Sequence, residues 1–266
     1  MSASDGLRSI RAKIERADHH ITELEQQFTA FCETDSYGTS FQQDAQTGEK
    51  VFRVKIRSEI PHDFSCIIGD AVHNLRSALD HLIWQLAVVS KANPGRQHEF
   101  PIRKTRSEYK AKLSRVVQGF PPGAVKLIRE AKPYKRRNRR DNHLWLIHHL
   151  DILDKHRHLV IGMAVPWRTT LGRPPEIEIR RQWPTDEFNS ISAWEVGRRL
   201  RVMKDGDELV RTPGAPDKFP MENDIKVAFQ IAFAKPKIVK GYPVVPFLHQ
   251  ASGLIDNFIN QFVPFL

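Results

Sequence analysis

Residues 68–86 combine side chains that can transfer protons or bind anions with the periodicity of a helix. At about 100° per residue, four polar side chains fall in one narrow stripe. This stripe consists of Asp70, Asn74, Ser77 and His81. His73 and Asp80 flank it, and Arg76 lies at its edge. Groups of these types can be held in place by hydrogen bonds, so the pattern predicts a site for acid–base or phosphate chemistry.

A second candidate region, residues 142–158, is rich in histidine and aspartate. Regularly spaced leucines predict that most of it is helical. The end of that helix carries three groups that can contact a phosphate or transfer a proton: Lys155, His156 and Arg157. We expect them to lie near Arg76 and His81 and to complete a site within one chain.

A metal site is an alternative interpretation of the same histidines. The candidate ligands are His149, Asp151, Asp154 and His156, together with His73 or His81 from the first segment. Their spacing matches no standard zinc pattern, and Lys155 and Arg157 would repel a cation placed among them. We therefore predict no metal and no cofactor. A metal-dependent hydrolase that uses His and Asp is kept as the third candidate function.

The formal net charge of +10 and the sequence pI of about 9.7 favour a polyanionic partner. Nucleic acid, RNA above all, is a better candidate than an anionic membrane surface. Residues 132–140 form the densest basic run and, with their Pro and Asn, are predicted to be a loop. We predict that its cations contact RNA: Lys135, Arg136, Arg137, Arg139 and Arg140. The alternative interpretation is that this run is only a soluble surface loop.

Arg76 and His81, separated by four residues within a helix that has an apolar face, form an R-x4-H pattern. This pattern resembles the signature of the HEPN (higher eukaryotes and prokaryotes nucleotide-binding) superfamily. Many HEPN members are metal-independent ribonucleases that act as toxins, antiphage effectors or RNA-processing factors. Active members often have Asn, His or Asp after the arginine, whereas this chain has Ser77.

The resemblance implies a metal-independent endoribonuclease or RNA-binding effector, with a possible toxin or defence role. His81 would take the proton of a ribose 2′-OH or protonate the leaving 5′-oxygen, and Arg76 would stabilise the phosphorane. HEPN-like enzymes dimerise across this helix, so a homodimer through the helical part is implied. The catalytic candidates are Arg76, His81, His73, Asp80 and His156. The substrate-binding candidates are Asn74, Ser77, Lys155 and Arg157, with the basic-run residues named above.

A longer likeness covers about a hundred residues and has no function attached to it. The chain resembles a group of bacterial proteins of uncharacterised function that share two motifs. These are G-D-x-x-H-N-L-R-S-A-L-D-H-L, here Gly69–Leu82, and L-x-x-x-D-K-H-R, here Leu150–Arg157. Short F-P-I and K-P-Y segments, Phe100–Ile102 and Lys132–Tyr134, lie between them.

The main rival interpretation is a non-catalytic binding or structural module. In it, Arg76 pairs with Asp80 or Asp154, His81 is hydrogen-bonded, and the whole set forms a buried polar cluster. The basic loop would then bind a partner. RNA cleavage in the presence of EDTA would distinguish the enzyme from this module.

The elements that must position these residues predict an α+β fold. We expect a long helix over 5–34, a β-hairpin inserted at 37–60, a helix from Pro61 to Ser90, and two short helices at 107–117 and 122–131. A mostly antiparallel sheet follows the second candidate region, with strands expected at 160–165, 176–181, 194–203, 208–211 and 225–233. A final helix begins near Pro246. The predicted parts are a helical HEPN-like part, 1–157, and a sheet part with the last helix, 158–266.

Cys32 and Cys66 lie among apolar neighbours, so we expect both to be buried and unpaired. Two cysteines form neither a disulfide framework nor a zinc set, which favours a reducing, cytoplasmic compartment. The charged N-terminus lacks the core of a signal peptide, and no apolar run reaches about 18 residues, so no membrane association is expected.

Overall fold

The structure is a computed structural model that describes residues 3–43, 45–46, 48, 50–134, 142–157, 159–165, 178–179, 200–212, 225–226 and 230–266. Its helices are α1 (Ala3–Glu33), α2 (His62–Val89), α3 (Arg106–Val116), α4 (Pro122–Ala131), α5 (His143–His156) and α6 (Val244–Asn260). Its strands are β1 (Tyr37–Gln43), β2 (Lys50–Ile56), β3 (Ile161–Val165), β4 (Glu178–Ile179), β5 (Arg201–Val202), β6 (Glu208–Thr212), β7 (Ile225–Lys226) and β8 (Gln230–Phe233). The α+β prediction is confirmed.

The strands form small antiparallel sheets in the orders β1-β2-β6, β5-β3-β8 and β4-β7. The predicted hairpin is confirmed, with Thr39 opposite Val54, but its second strand ends at Ile56 rather than at residue 60. β2 is not an edge strand, because it also pairs with β6. Residues 227–229, part of the strand expected over 225–233, and most of the strands expected over 176–181 and 194–203 lie outside the described residues.

The chain divides into two compact units. The helical unit comprises Met1–Leu24, Ser65–Leu159 and Leu248–Leu266, and the sheet unit comprises Glu25–Phe64 and Val160–Phe247. The hairpin belongs to the sheet unit, where β6 satisfies hydrogen bonds that β2 would otherwise leave unpaired. All the predicted site residues that the structure describes belong to the helical unit.

The core of the helical unit is built around α2. Seven apolar side chains that share one face of this helix are completely buried: Ile68, Val72, Leu75, Leu79, Leu82, Ile83 and Leu86. α1 contributes the seam that the sequence predicted, and Ile10, Ile14, Ala17, Ile21 and Leu24 are buried. Burial of the apolar surface of these side chains contributes roughly 25 cal/mol of stabilisation per Å², and it fixes the rotation of α2 about its axis. The polar stripe is thereby turned away from the core.

Both cysteines of the chain lie on the surface. Cys32 and Cys66 are both exposed, so the prediction that they are buried is wrong. Cys66 lies eighteen residues before Trp84, which is five full helical turns, and Trp84 is itself exposed. In the part of the chain that the structure describes, no helix is long and apolar enough to cross a bilayer.

Candidate functional site

α2 has α1 on one side of its polar stripe and α5 on the other. On the α1 side, Ser9 Oγ lies 3.0 Å from His81 Nδ1, and Lys13 Nζ donates to Asn74 Oδ1 at 3.3 Å. The α1 backbone comes close at Gly6, where the Gln85 side chain occupies the space that a Cβ would need.

On the α5 side, Gly69 permits an equally close approach to Asp154. The stripe therefore lies between α1 and α5, with Asp70 and Trp84 exposed and Ser77 half-buried.

Arg76 is the most buried charged group of α2, with 4% of its surface exposed. Its Nη1 donates to Asp80 Oδ1 at 2.5 Å, its Nη2 to the carbonyl of Phe100 at 3.2 Å, and its Nε to His148 Nδ1 at 3.2 Å. Asp80 Oδ1 also accepts the backbone N–H of Phe100 at 2.7 Å. These bonds offset the cost of burying the guanidinium and join α2, α5 and the segment before α3.

The protonation states in this cluster follow from burial. Burial raises the pKa of Asp80, and the Arg76 guanidinium acts against that rise. Burial, reinforced by Arg76, lowers the pKa of His148 to about 4. His148 is therefore a neutral imidazole at neutral pH, which fits its Nδ1 accepting the Arg76 hydrogen bond.

Arg76 and His81 do not converge on one point. They lie about 140° apart around the helix axis, so Arg76 faces α5 and His81 faces α1. Burial, together with the charge of Lys13, lowers the pKa of His81. The two groups of the R-x4-H pattern thus contact different helices in the monomer, because the core position of α2 turns Arg76 inward.

His73 takes part in a second arrangement at the α2–α5 boundary. Its Nδ1 lies 2.9 Å from Asp151 Oδ1, and its Nε2 lies 3.4 Å from Ser77 Oγ. Asp151 is only 4% exposed, and its other oxygen accepts from Lys155 Nζ at 2.8 Å. The His73 side chain is 50% exposed. A hydroxyl, an imidazole and a buried carboxylate are thus connected in that order.

Asp151 and His148 are the site residues that sequence reasoning undervalued. Asp151 was considered only as a metal ligand, and His148 was not singled out. Both lie on the α5 face that packs on α2, three residues apart, which places polar groups at positions where the helix period predicts burial. A polar residue on a buried helix face is the signal that would have found them.

Other predicted residues stay apart from this cluster. His156 and Arg157 are exposed at the C-terminal end of α5, and the basic-run residues Lys135, Arg136, Arg137, Arg139 and Arg140 lie outside the described residues. His149 stacks on Trp145, with ring centroids 4.9 Å apart. Among the residues that the structure describes, no three His, Cys, Asp or Glu side chains are grouped so that they could hold a metal ion.

The excess of positive over negative charge is concentrated in one segment of the chain. Residues 103–140 contain fourteen of the 41 Lys and Arg residues but only two of the 31 Asp and Glu residues. Their net charge exceeds the +10 of the whole chain, so the remaining residues carry a slight excess of acid. Such a distribution produces a local positive field rather than a uniformly basic surface.

Residues 103–134, which we call the basic module, form a helical hairpin of α3 and α4. Thr105 and Glu108 form a reciprocal capping box at the start of α3. The Tyr109 hydroxyl donates to the carbonyl of Ile128 at 2.6 Å, which holds α3 against α4. Seven cations of the module are exposed: Lys104, Arg106, Lys110, Arg115, Lys126, Arg129 and Lys132.

The basic module is continuous with the Arg76 cluster. Glu99 accepts from Arg103 at 2.8 Å and pairs with Lys112 at 3.0 Å. Although burial opposes ionisation, these two cations lower the pKa of Glu99. The Arg103 charge also acts on His148. A ligand bound to the module would thus lie next to the α2–α5 boundary.

Comparison with protein families, with curated proteins and with solved structures finds no match for this chain. The likeness to HEPN proteins stays a prediction from the R-x4-H pattern. Function is therefore inferred from the residues and their arrangement alone.

Proposed function

We propose that this protein binds RNA through the basic module and the basic run that follows it. The observation that carries the proposal is the concentration of the excess positive charge in residues 103–140, with seven of the cations exposed on α3, α4 and their flanks. A nucleic acid backbone is a dense line of negative charge, and its neutralisation by Lys and Arg releases counterions.

Single-stranded RNA is the form that the aromatic groups of this region favour. Tyr134 packs beside Tyr109, with ring centroids 5.5 Å apart, directly before the basic run. Tyr134 is half-buried, and in the sequence it is followed at once by the cations of the basic run. An aromatic side chain among Lys and Arg can stack on an unpaired base, which a duplex does not offer.

The test is a charge reversal on α3 with a matched reversal elsewhere. In the triple variant Lys104→Glu, Arg106→Glu and Lys110→Glu, the affinity for labelled single-stranded RNA should fall at least about tenfold. The control variant carries Arg8→Glu, Arg11→Glu and Arg16→Glu on α1, and its affinity should change far less although its net charge changes equally. Equal losses in both variants would show that net charge alone attracts RNA.

Cleavage of RNA by Arg76 and His81, and the homodimer that the HEPN resemblance implies, stay predictions. We expect the monomer to bind RNA without cleavage dependent on Arg76, because that guanidinium is buried and already donates to three acceptors. Incubation of labelled RNA with the protein in the presence of EDTA measures metal-independent cleavage directly. Cleavage that is lost in both Arg76→Ala and His81→Ala, with RNA binding retained, would restore the ribonuclease hypothesis.

A further inference from the structure

The geometry points to a hydrolytic centre on the polar stripe of α2, between α1 and α5, in which Ser77 is the nucleophile, His73 its general base and Asp151 the group that orients His73. The substrate class is a carboxylic ester or thioester. This activity goes beyond RNA binding and uses none of the exposed cations of the basic module.

The first support is the order and spacing of the three groups. Asp151 Oδ1 lies 2.9 Å from His73 Nδ1, which fixes the tautomer with its proton on Nδ1 and leaves Nε2 as an acceptor. Ser77 Oγ lies 3.4 Å from that Nε2. This separation is long for a hydrogen bond, as is common between a nucleophile and its base before substrate binds.

The second support is the difference in burial among Asp151, His73 and Ser77. Asp151 is almost completely buried and is neutralised by Lys155, so its position is fixed by α5. His73 is 50% exposed and Ser77 is half-buried, so a ligand can reach both. A catalytic pair needs this arrangement, in which the orienting carboxylate is buried and the imidazole is accessible to a substrate.

Positive charge is available for the oxyanion. Lys13 Nζ donates to Asn74, which lies one turn before Ser77, and the Lys13 charge acts on His81, one turn after Ser77. The ammonium group thus lies on the α1 side of the same part of the polar stripe. It can stabilise the negative charge that develops on a carbonyl oxygen when Ser77 attacks the carbonyl carbon.

The reaction balances without a co-reactant other than water. As Ser77 Oγ bonds to the carbonyl carbon, its proton passes to His73 Nε2, and then to the leaving alcohol or thiol as the bond to that group breaks. Water attacks the acyl-Ser77 ester, giving a proton to Nε2, and the same proton returns to Ser77 Oγ as the carboxylic acid leaves. The net result is one ester bond hydrolysed by one water molecule.

A fluorescent fluorophosphonate, which forms a covalent bond only with activated serines, tests the assignment. We expect labelling of the wild-type protein at Ser77, located by peptide mass spectrometry, and none in Ser77→Ala. Labelling should slow at least about tenfold in His73→Gln and in Asp151→Asn. Ser114→Ala on α3 and His19→Ala on α1 are matched controls and should label at the wild-type rate.

A second readout is the pre-steady-state burst of 4-nitrophenol from 4-nitrophenyl acetate, which should disappear in Ser77→Ala while the melting temperature is retained. RNA binding is measured separately, with the charge-reversal variants of α3 and α1, so failure here is distinguishable from failure of the proposed function. Absence of Ser77 labelling, or equal labelling rates in the wild type and His73→Gln, would overturn the assignment. Cleavage of RNA that requires His73 but not Ser77 would also overturn it, since His73 would then act on a hydroxyl of the substrate.

Discussion

Arg76, the first residue of the R-x4-H pattern, is held by contacts that reach three different parts of the helical unit. Its guanidinium is fixed by a carboxylate, a backbone carbonyl and a neutral imidazole, each from a different part of the helical unit. Because burying a charge is costly unless it is paired and hydrogen-bonded, these partners are needed to keep the charge inside. The predicted polar cluster is therefore present, with Asp80 rather than Asp154 as the partner of Arg76.

Loss of the Arg76 charge should destabilise the protein strongly. In Arg76→Met, Asp80 loses its cation and the free energy of unfolding should fall by about 3 kcal/mol. In the double variant Arg76→Met with Asp80→Asn, the loss should be smaller than the sum of the two single losses, since no charge is left unpaired. Urea unfolding of the four proteins measures this coupling. Strictly additive losses would contradict a direct pairing.

His148 should make stability depend on pH. In the folded protein its pKa is lowered to about 4, whereas in the unfolded chain it returns to about 6.5. Between these values only the unfolded chain binds the proton, so stability is full near neutral pH and is lost as the pH falls toward 4. The loss should be on the order of 2 kcal/mol between about pH 7 and about pH 4.5. In His148→Gln the decline measured by urea unfolding should be visibly smaller, and an unchanged decline would assign it to other groups.

At the scale of elements, the helices were predictable and the partners across helices were not. The apolar face of α2 was correct at every position, because burial follows directly from the helical period. The same period applied to Cys66 would have placed it on the same exposed face of the helix as Trp84, five turns away. The bonds from Ser9 to His81 and from Phe100 to Asp80 span 72 and 20 residues, so no local pattern contains them.

The capping box of α3 should be measurable as an element of stability. In Thr105→Ala, the side-chain acceptor for the N–H of Glu108 is lost, and the free energy of unfolding should fall by about 1 kcal/mol. Thr105→Ser keeps the acceptor oxygen and serves as the matched control. Thermal unfolding of both variants separates the contribution of the hydrogen bond to stability from that of the other threonine atoms. Equal destabilisation by alanine and by serine would contradict a capping role.

At the scale of the whole molecule, charge is distributed by region. Residues 103–140 hold the positive excess, and the rest of the chain is close to neutral with a slight acidic balance. On the proposed function, an RNA strand should therefore be attracted toward this region more than toward the rest of the chain.

This distribution predicts a proteolytic footprint. Trypsin cleaves after Lys and Arg, so the region that should bind RNA is also the densest in cleavage sites. Bound single-stranded RNA should slow cleavage within 103–140 and leave the rate at Arg8, Arg11 and Arg16 of α1 unchanged. Mass spectrometry of the timed digest reads both regions in one sample. Uniform protection along the chain would contradict a localised RNA site.

The hydrogen bond from the Phe100 amide to Asp80 has one more consequence. That amide proton can exchange with solvent deuterium only when the Asp80 carboxylate moves away, and the same carboxylate holds Arg76. Its exchange rate therefore reports how often the contact between α2 and the segment that precedes the basic module opens. A ligand that tightened this contact from either side would slow exchange at this one position, and its arrival could be timed there.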